Sequence, residues 1–457
     1  MEPVSIGISS VVLIVVLIYL GLYIPVALGL VSFLGVLIMK GGITLPINLL
    51  SLAVADTVSH SVFATIPLFS LMGLLVSKSG LGKDVYEVAN FFFYKVRGGL
   101  GIATVAANAI FAAITGSSIA SASVFTKVSV PEMRRFNYTA MFSVGVVAGS
   151  SVLGMLIPPS AMLIIYSIVA EQSVGEMFIA GIVPGIVLTI AYCLLIVVMS
   201  YVAPKFVGGT GVEIPEEEWE HFSVLGVTKK LFPVGVLIVV VLGGIYSGIV
   251  TPVEAGAAGS TVALVIALLK RSIDWRGFWE VLMDTGHITA SILFLIIAAS
   301  MYSRMLGVAG LPTLFGEWLV EQEMTVPLLM TMVVVMFVLL GTVIDTASMI
   351  LIVVPLFLPV LDNLDLSMVW FGIIAVIAAE IGLLTPPLGI SVFVIKSTLD
   401  DKSITLFEIF AGAFPFAVTM LLVLILLIAF PDLSLYLVDN NPGTDFLEYL
   451  GILTPEK

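Results

Sequence analysis

Hydroxyl and carboxylate side chains stand at two places inside long apolar stretches, and a proline pair follows each. The first set is Gly116-Ser117-Ser118 with Pro158-Pro159-Ser160; the second is Asp345-Thr346 with Pro386-Pro387. Pro159 and Pro387 lack an N–H donor, and each ring clashes with the preceding turn, so a helix breaks there. The carbonyls freed near Gly154–Ile157 and Gly382–Thr385 become available oxygen ligands. Hard cations take oxygen ligands; that rule is stated for calcium and magnesium, and we extend it to sodium. Two cation sites are expected. One combines Ser117 and Ser118 with backbone from Gly154 to Pro158. The other combines Asp345 and Thr346 with backbone from Gly382 to Pro386, Thr385 included.

The elements that position these residues occur twice. Pro131 and Pro359, Gly154 and Gly382, and Pro158 and Pro386 are all 228 residues apart. Proline-broken spans in matching positions of two halves mark a transporter that builds its site at mid-membrane. Ala180–Pro184 matches Ala411–Pro415 at an offset of 231, which places about three extra residues in the second copy, within Ser397–Ser403.

Of the 457 residues, 60% are hydrophobic and 11% charged, and mean hydropathy is +1.21. No soluble domain buries that much apolar surface. The chain is therefore an all-α polytopic membrane protein, with spans expected near 5–22, 24–39, 61–77, 137–170, 182–202, 231–250, 253–270, 284–304, 367–397 and 412–430. The segments 98–128 and 327–358 carry a polar knot at their centres and are expected to be re-entrant hairpins. Net charge is −13, which argues against nucleic acid. The single cysteine, Cys193, excludes an intramolecular disulfide. His60, His221 and His287 are too scattered to suggest a metal centre. There is no GxxxxGK[ST] phosphate loop, and residues 1–4 lack the basic start of a cleaved signal peptide, so the first span is expected to remain.

Basic residues mark the cytoplasmic side. With both hairpins re-entrant, 15 of the 18 Lys and Arg fall in inside loops; Lys40, Arg304 and Lys457 do not. Ten crossings then leave both termini external, and the two repeats are inverted. The expected organisation is N-terminal scaffold helices 1–97, a first repeat 98–206, a cytoplasmic linker 207–230 with Glu216-Glu217-Glu218, scaffold and arm helices 231–326, a second repeat 327–438 and an external tail 439–457.

Each polar residue also has a structural reading. Ser117, Ser118 and Asp345 fit as helix caps. Against that, an intramembrane carboxylate is costly and is a functional candidate by default. Glu380 either supports the second cation site or faces another subunit. His287, beside Asp284 and Thr285, heads the span 284–304, and Arg304 is expected to snorkel to the interface. With almost no central Lys or Arg, an anionic substrate would rely on helix N-termini, hydroxyls and bound sodium. Its cavity would be lined by Gly116, Ser117, Pro159, Ser160, Pro386, Pro387 and Gly389.

In its ordered motifs the chain resembles the large membrane subunit of tripartite ATP-independent periplasmic (TRAP) transporters. The stretches that carry the resemblance are Gly116–Ala120, Val130–Met133, Ile157–Ser160, Phe178–Gly185, Thr251–Ala255, Glu380–Gly389, Ala411-Gly412 and Pro415-Phe416. It extends from about residue 5 to 438. The resemblance implies an elevator-type secondary carrier in a bacterial or archaeal inner membrane, not an enzyme. Two hairpins and two broken helices would form a moving domain with sodium, Na+, as coupling ion and no organic cofactor. It further implies a small four-helix membrane subunit, here a separate protein, and a periplasmic substrate-binding protein. The cargo would be an organic anion such as a C4-dicarboxylate, another carboxylate or sialic acid. The tail beyond Asp439 and the histidine at 287 depart from the family pattern. A stand-alone sodium–dicarboxylate carrier is the rival reading. An intramembrane carboxylate-pair enzyme using Asp345 and Glu380 is disfavoured by the repeat.

Overall fold

A computed structural model describes residues 3–209, 224–322, 324–387 and 389–440. Glu216–Glu218, His221, most of the expected linker, Leu388 and the tail from 441 lie outside the described residues. In the first half, α1 (Pro3–Tyr19), α2 (Ile24–Lys40) and α3 (Thr44–Ser59) lead through a 3-10 turn at Ser61–Ala64 into α4 (Thr65–Lys78) and α5 (Leu81–Phe93). Then come α6 (Gly99–Thr115), α7 (Ser118–Arg135), α8 (Ala140–Ser151), α9 (Leu153–Leu156), α10 (Ala161–Val169), α11 (Val174–Val202) and the short α12 (Pro204–Val207).

The second half begins with α13 (Val224–Ile238), a π-helical turn Val239–Gly243 and α14 (Gly244–Tyr246). It continues through α15 (Pro252–Leu269), α16 (Trp275–Ala309) and α17 (Leu311–Glu321) to the counterpart of the first hairpin, α18 (Val326–Gly341) and α19 (Thr346–Asn363). It ends with α20 (Met368–Leu383), α21 (Ile390–Thr398), α22 (Leu406–Ala429) and α23 (Asp432–Asp439). Both ends of α19 lie 228 residues beyond those of α7, and α20 starts 228 beyond α8. The correspondence reaches further than the motifs indicate, because α2 has its counterpart in α15. The packing repeats too: α2 lies on α16 as α15 lies on α4, the latter through Gly256 and Gly259 against Leu68, Phe69 and Met72.

Seven helical stretches among the described residues are long and apolar enough to cross a membrane. The count becomes eight with the bent pair Ala140–Leu156 and Ala161–Val169, which turns by 43°. The helices α1 and α2, both expected as spans, have 17 residues each, at the short end of the spanning range. The broken helices hold the centre. Every residue of α20 from Val369 to Leu383 is buried, as expected of a helix apolar all round. Its counterpart α8 crosses α22 so closely that a Cβ on Gly412 would lie 2.0 Å from the Met141 carbonyl oxygen.

Several sequence expectations are corrected. The segments Thr44–Ser59 and Leu81–Phe93, assigned to no span, are helical. The helix α5 is amphipathic: Leu81, Val85, Tyr86 and Val88 are buried, while Asp84 pairs with Lys270 and Glu87 with Lys230. His287 does not head a helix; α16 starts at Trp275 and His287 is exposed along it. Arg304 does not simply snorkel, because its guanidinium pairs with the Asp56 carboxylate on α3. The linker's last residues, from Val224, are already helical. The extra residues of the second half form the turn after α21, where the Lys396 ammonium donates to the carbonyls of Lys402 (3.1 Å) and Ile404 (2.5 Å).

The α8–α22 crossing has a direct test. Gly412→Ala forces backbone apart and is expected to cost about 1–3 kcal/mol, as overpacking does. Gly286→Ala, with nothing within 4 Å, is expected to leave stability unchanged or raise it. Melting of the two purified variants, followed by size-exclusion chromatography after heating, checks the contrast.

Candidate transport site

Each hairpin turns where a polar residue caps the outgoing helix. The Ser117 hydroxyl accepts from the Ala120 N–H (3.3 Å) at the start of α7. The Asp345 carboxylate accepts from the Ser348 N–H (3.1 Å) and hydroxyl (2.5 Å) at the start of α19. The capping readings of Ser117 and Asp345 are therefore realised and that of Ser118 is not, and capping leaves lone pairs on each oxygen free for a further contact.

The first tip is joined to its broken helix. Gly116, in the left-handed region at φ +62°, presents its carbonyl to the Ala161 N–H (3.3 Å). A Cβ there would lie 2.2 Å from the Pro159 carbonyl oxygen, and one at Gly154 would lie 2.7 Å from that of Ser117. Only glycine satisfies both the dihedral and the contact at 116. The structure thus gathers Gly116, Ser117, Ser118, Gly154, Pro159 and Ser160. One carbonyl expected to be free is occupied: that of Met155 accepts from the Ser160 hydroxyl (2.5 Å). The Ser118 hydroxyl, on a residue only 1% exposed, has no hydrogen-bond partner. Buried polar groups are normally paired, which makes Ser118 the distinctive atom of this tip.

The second tip is joined differently. The Thr346 hydroxyl donates to Glu380 Oε1 at 2.9 Å. Glu380 is 1% exposed, so it is an interior residue and not a subunit contact, and its Oε2 has no partner. The backbones of Gly341 and Gly382 touch. Thr385 donates its hydroxyl to the Ile381 carbonyl (2.7 Å) and its N–H to that of Gly382 (3.0 Å). Pro386 and Pro387 are exposed, while Gly389 is buried. Thr346 and Glu380, rather than Asp345, therefore tie this tip to the broken helix.

The two sets approach one another because α10 packs along α19 and α21 along α7. Each broken helix thus lays its far half on the opposite hairpin. The sequence reading did not single out Asn108, whose amide Nδ2 donates to Ser150 Oγ at 2.6 Å and whose Oδ1 is unpartnered, like the hydroxyl of Ser121. An asparagine inside an apolar helix was the available signal. Among the described residues, no three His, Cys, Asp or Glu side chains come together to hold a metal ion.

The chain is an all-α polytopic membrane protein whose helices α8–α10 and α20–α21 are interrupted at proline pairs. The solved structure of the Alcanivorax borkumensis YdaH transporter is similar in fold, with a TM-score of 0.60 at 15% identity, covering 89% of this chain and 91% of that one. The family described as tripartite ATP-independent periplasmic transporter, DctM component, matches residues 11–433. The chain belongs to this family of TRAP transporter large permeases, which are transport proteins and not enzymes. It is 31% identical over 406 residues to the C4-dicarboxylate TRAP transporter large permease protein DctM of Pseudomonas aeruginosa, covering 87% of this chain and 92% of that protein. It is 28% identical over 393 residues to the sialic acid TRAP transporter large permease protein SiaM of Vibrio cholerae, covering 86% and 89%.

The Thr346–Glu380 bond predicts a graded series. Thr346→Val leaves a buried carboxyl oxygen without its donor and should cost about 1–3 kcal/mol. Thr346→Ser keeps the donor and should melt close to the parent. Melting temperatures of the two variants decide it.

Proposed function

We propose that this chain is the sodium-coupled carrier subunit of a three-part uptake system for an organic anion. The observation that carries the reading is the chemistry at the two tips: hydroxyl and carboxylate oxygens with spare lone pairs, set beside interrupted helices inside an apolar protein. Sodium would take oxygens from Ser117, Ser118 and the Gly154–Pro158 backbone at one tip. At the other it would take them from Asp345, Thr346 and the Gly382–Thr385 backbone, with Glu380 holding Thr346 in place.

A cation beside Asp345 cancels a charge that otherwise repels an anion, which couples the two bindings. The helix α10 begins at Ala161, whose N–H meets the carbonyl of Gly116, two residues before α7 begins at Ser118. Their positive dipole ends therefore converge on one spot, a favourable seat for an anion. C4-dicarboxylate and sialic acid, named for the relatives, are the cargo classes this chemistry suits. The halves would be inverted in an inner membrane with both termini external. The hairpins and broken helices would move as an elevator against the remaining helices, served by a small membrane subunit and a periplasmic binding protein. A stand-alone carrier is the second reading; uptake by reconstituted chain alone would favour it.

The test needs no knowledge of the cargo. A cation that binds only the folded state raises apparent stability, by ~2.7 kcal/mol at a hundredfold excess over its Kd. The purified chain should melt higher in sodium chloride than in potassium or choline chloride at equal ionic strength, and the rise should saturate. Asp345→Asn keeps a cap but removes the charge, and it should remove the second site's share of the sodium-specific rise, as Ser117→Ala should remove the first site's share. Equal melting in the three salts refutes sodium coupling.

A further inference from the structure

Four membrane-length stretches have one end each in the same place, and ion pairs fix them there. Lys78, at the end of α4, pairs with Glu280 near the start of α16 (2.9 Å). Lys270, just past α15, pairs with Asp84 on α5, and Lys230, early in α13, pairs with Glu87 on α5. The stretches Ser61–Lys78, Leu225–Tyr246, Pro252–Leu269 and Trp275–Ala309 are each apolar enough to span, so these ends lie at headgroup depth.

The acids here are occupied. Asp84, Glu87 and Glu280 are held by those pairs, and Asp274 caps the Gly277 N–H (2.7 Å). The next acid on α16, Asp284, is roughly 12 Å along the helix from Arg276. The basic groups are not all occupied. Arg271 lies in the turn that ends α15, closed by its own N–H on the Leu268 carbonyl and the Ser272 N–H on that of Ala267, both 3.0 Å. Such a turn ordinarily takes glycine, because the residue must enter the left-handed region, yet Arg271 stands there at φ +52°. Its side chain is exposed, and among the described residues its guanidinium has no ion-pair or hydrogen-bond partner. Arg276 is 89% exposed and comes only within 3.6 Å of Glu280, which Lys78 already holds.

Large apolar side chains flank the two arginines in sequence and are equally uncovered: Leu269 is 79% exposed and Trp275 78%. Tryptophan collects at the membrane–water boundary. A guanidinium at that depth meets lipid phosphates, which it binds through paired N–H donors, and basic residues at the end of a span attract anionic lipid.

We infer that the α15–α16 turn is a seat for one anionic phospholipid. Arg271, with Arg276 beside it, takes the headgroup phosphate, while Leu269 and Trp275 pack on the upper acyl chain. Free phosphate would use the guanidinium but leave the apolar half uncovered, so the occupant is lipid. The seat is independent of the carrier reading.

The test uses the purified full chain in phosphatidylcholine nanodiscs, doped with a lipid brominated high on its acyl chains, and reads quenching of tryptophan fluorescence. Brominated phosphatidylglycerol is expected to reach half-maximal quenching at a several-fold lower dose than brominated phosphatidylcholine. Arg271→Gln is expected to bring the two doses together, and Trp275→Phe to remove the low-dose quenching. Lys40→Gln, at an exposed lysine ending α2, is expected to leave the preference intact. Arg271 and Trp275 are both exposed, so these changes leave the fold standing. Equal doses in the parent chain, or a preference that survives Arg271→Gln, refute the seat. Inorganic phosphate at constant ionic strength should not disturb the preference; if it abolishes it, the guanidinium takes free phosphate and the lipid assignment is wrong.

Discussion

A backbone group left without a partner in hydrocarbon costs several kcal/mol, and the rest of this structure follows from where such groups arise. Two proline pairs interrupt two helices, and two hairpins turn back at their tips. The first interruption is placed where protein covers it, Pro158 and Pro159 being buried, while Pro386 and Pro387 of the second are exposed. The carbonyl of Gly116 meets the N–H of Ala161, so one tip and one break satisfy each other. The helix α20 is buried along its length, because a helix that ends in mid-protein cannot face lipid at its end. The close crossings at Gly412 and Gly145 are the packing that such centrality requires.

The interrupted elements were legible in sequence because prolines and polar knots stand out against apolar surroundings. The two helix breaks sit at Pro158-Pro159 and Pro386-Pro387, whereas Pro131 and Pro359 lie inside α7 and α19. Less legible was anything decided by a partner distant in the chain. The helix α5 carries Lys83, Asp84 and Glu87, which read as loop until Lys230 and Lys270 are seen to neutralise its acids. Arg304 reads as a snorkelling residue because nothing local indicates Asp56, 248 positions away. At the site, residue types and caps were readable from Ser117 and Asp345. The role of Glu380 was not, since 34 residues separate it from Thr346 and only packing brings them together.

The two halves match in path but not in chemistry. Ser118 and Thr346 occupy matching positions 228 apart, and so do Val152 and Glu380. One hydroxyl therefore lacks a carboxyl group at the matching position and stays unpartnered, while the other is engaged by a carboxyl group. A repeat that places both tips alike still leaves them with different donors. The first offers a neutral hydroxyl and backbone, and the second carboxyl oxygens as well.

A similar divergence separates the stretches Thr44–Lys78 and Trp275–Ala309, whose ends lie 231 residues apart. In the first half the path is jointed by the 3-10 turn Ser61–Ala64. In the second it is one helix of 35 residues, roughly 52 Å at 1.5 Å per residue, well beyond the ~30 Å of a bilayer's hydrocarbon core. The molecule thus has a strut on one side and an elbow on the other. A strut of that length must lean or project, so its lean is tied to membrane thickness. The elbow can take up a change of angle at its joint, which a continuous helix cannot. Bending compliance is therefore unevenly shared between the halves, and a cavity lined by His60 and Arg304 lies where the compliant half meets the stiff one.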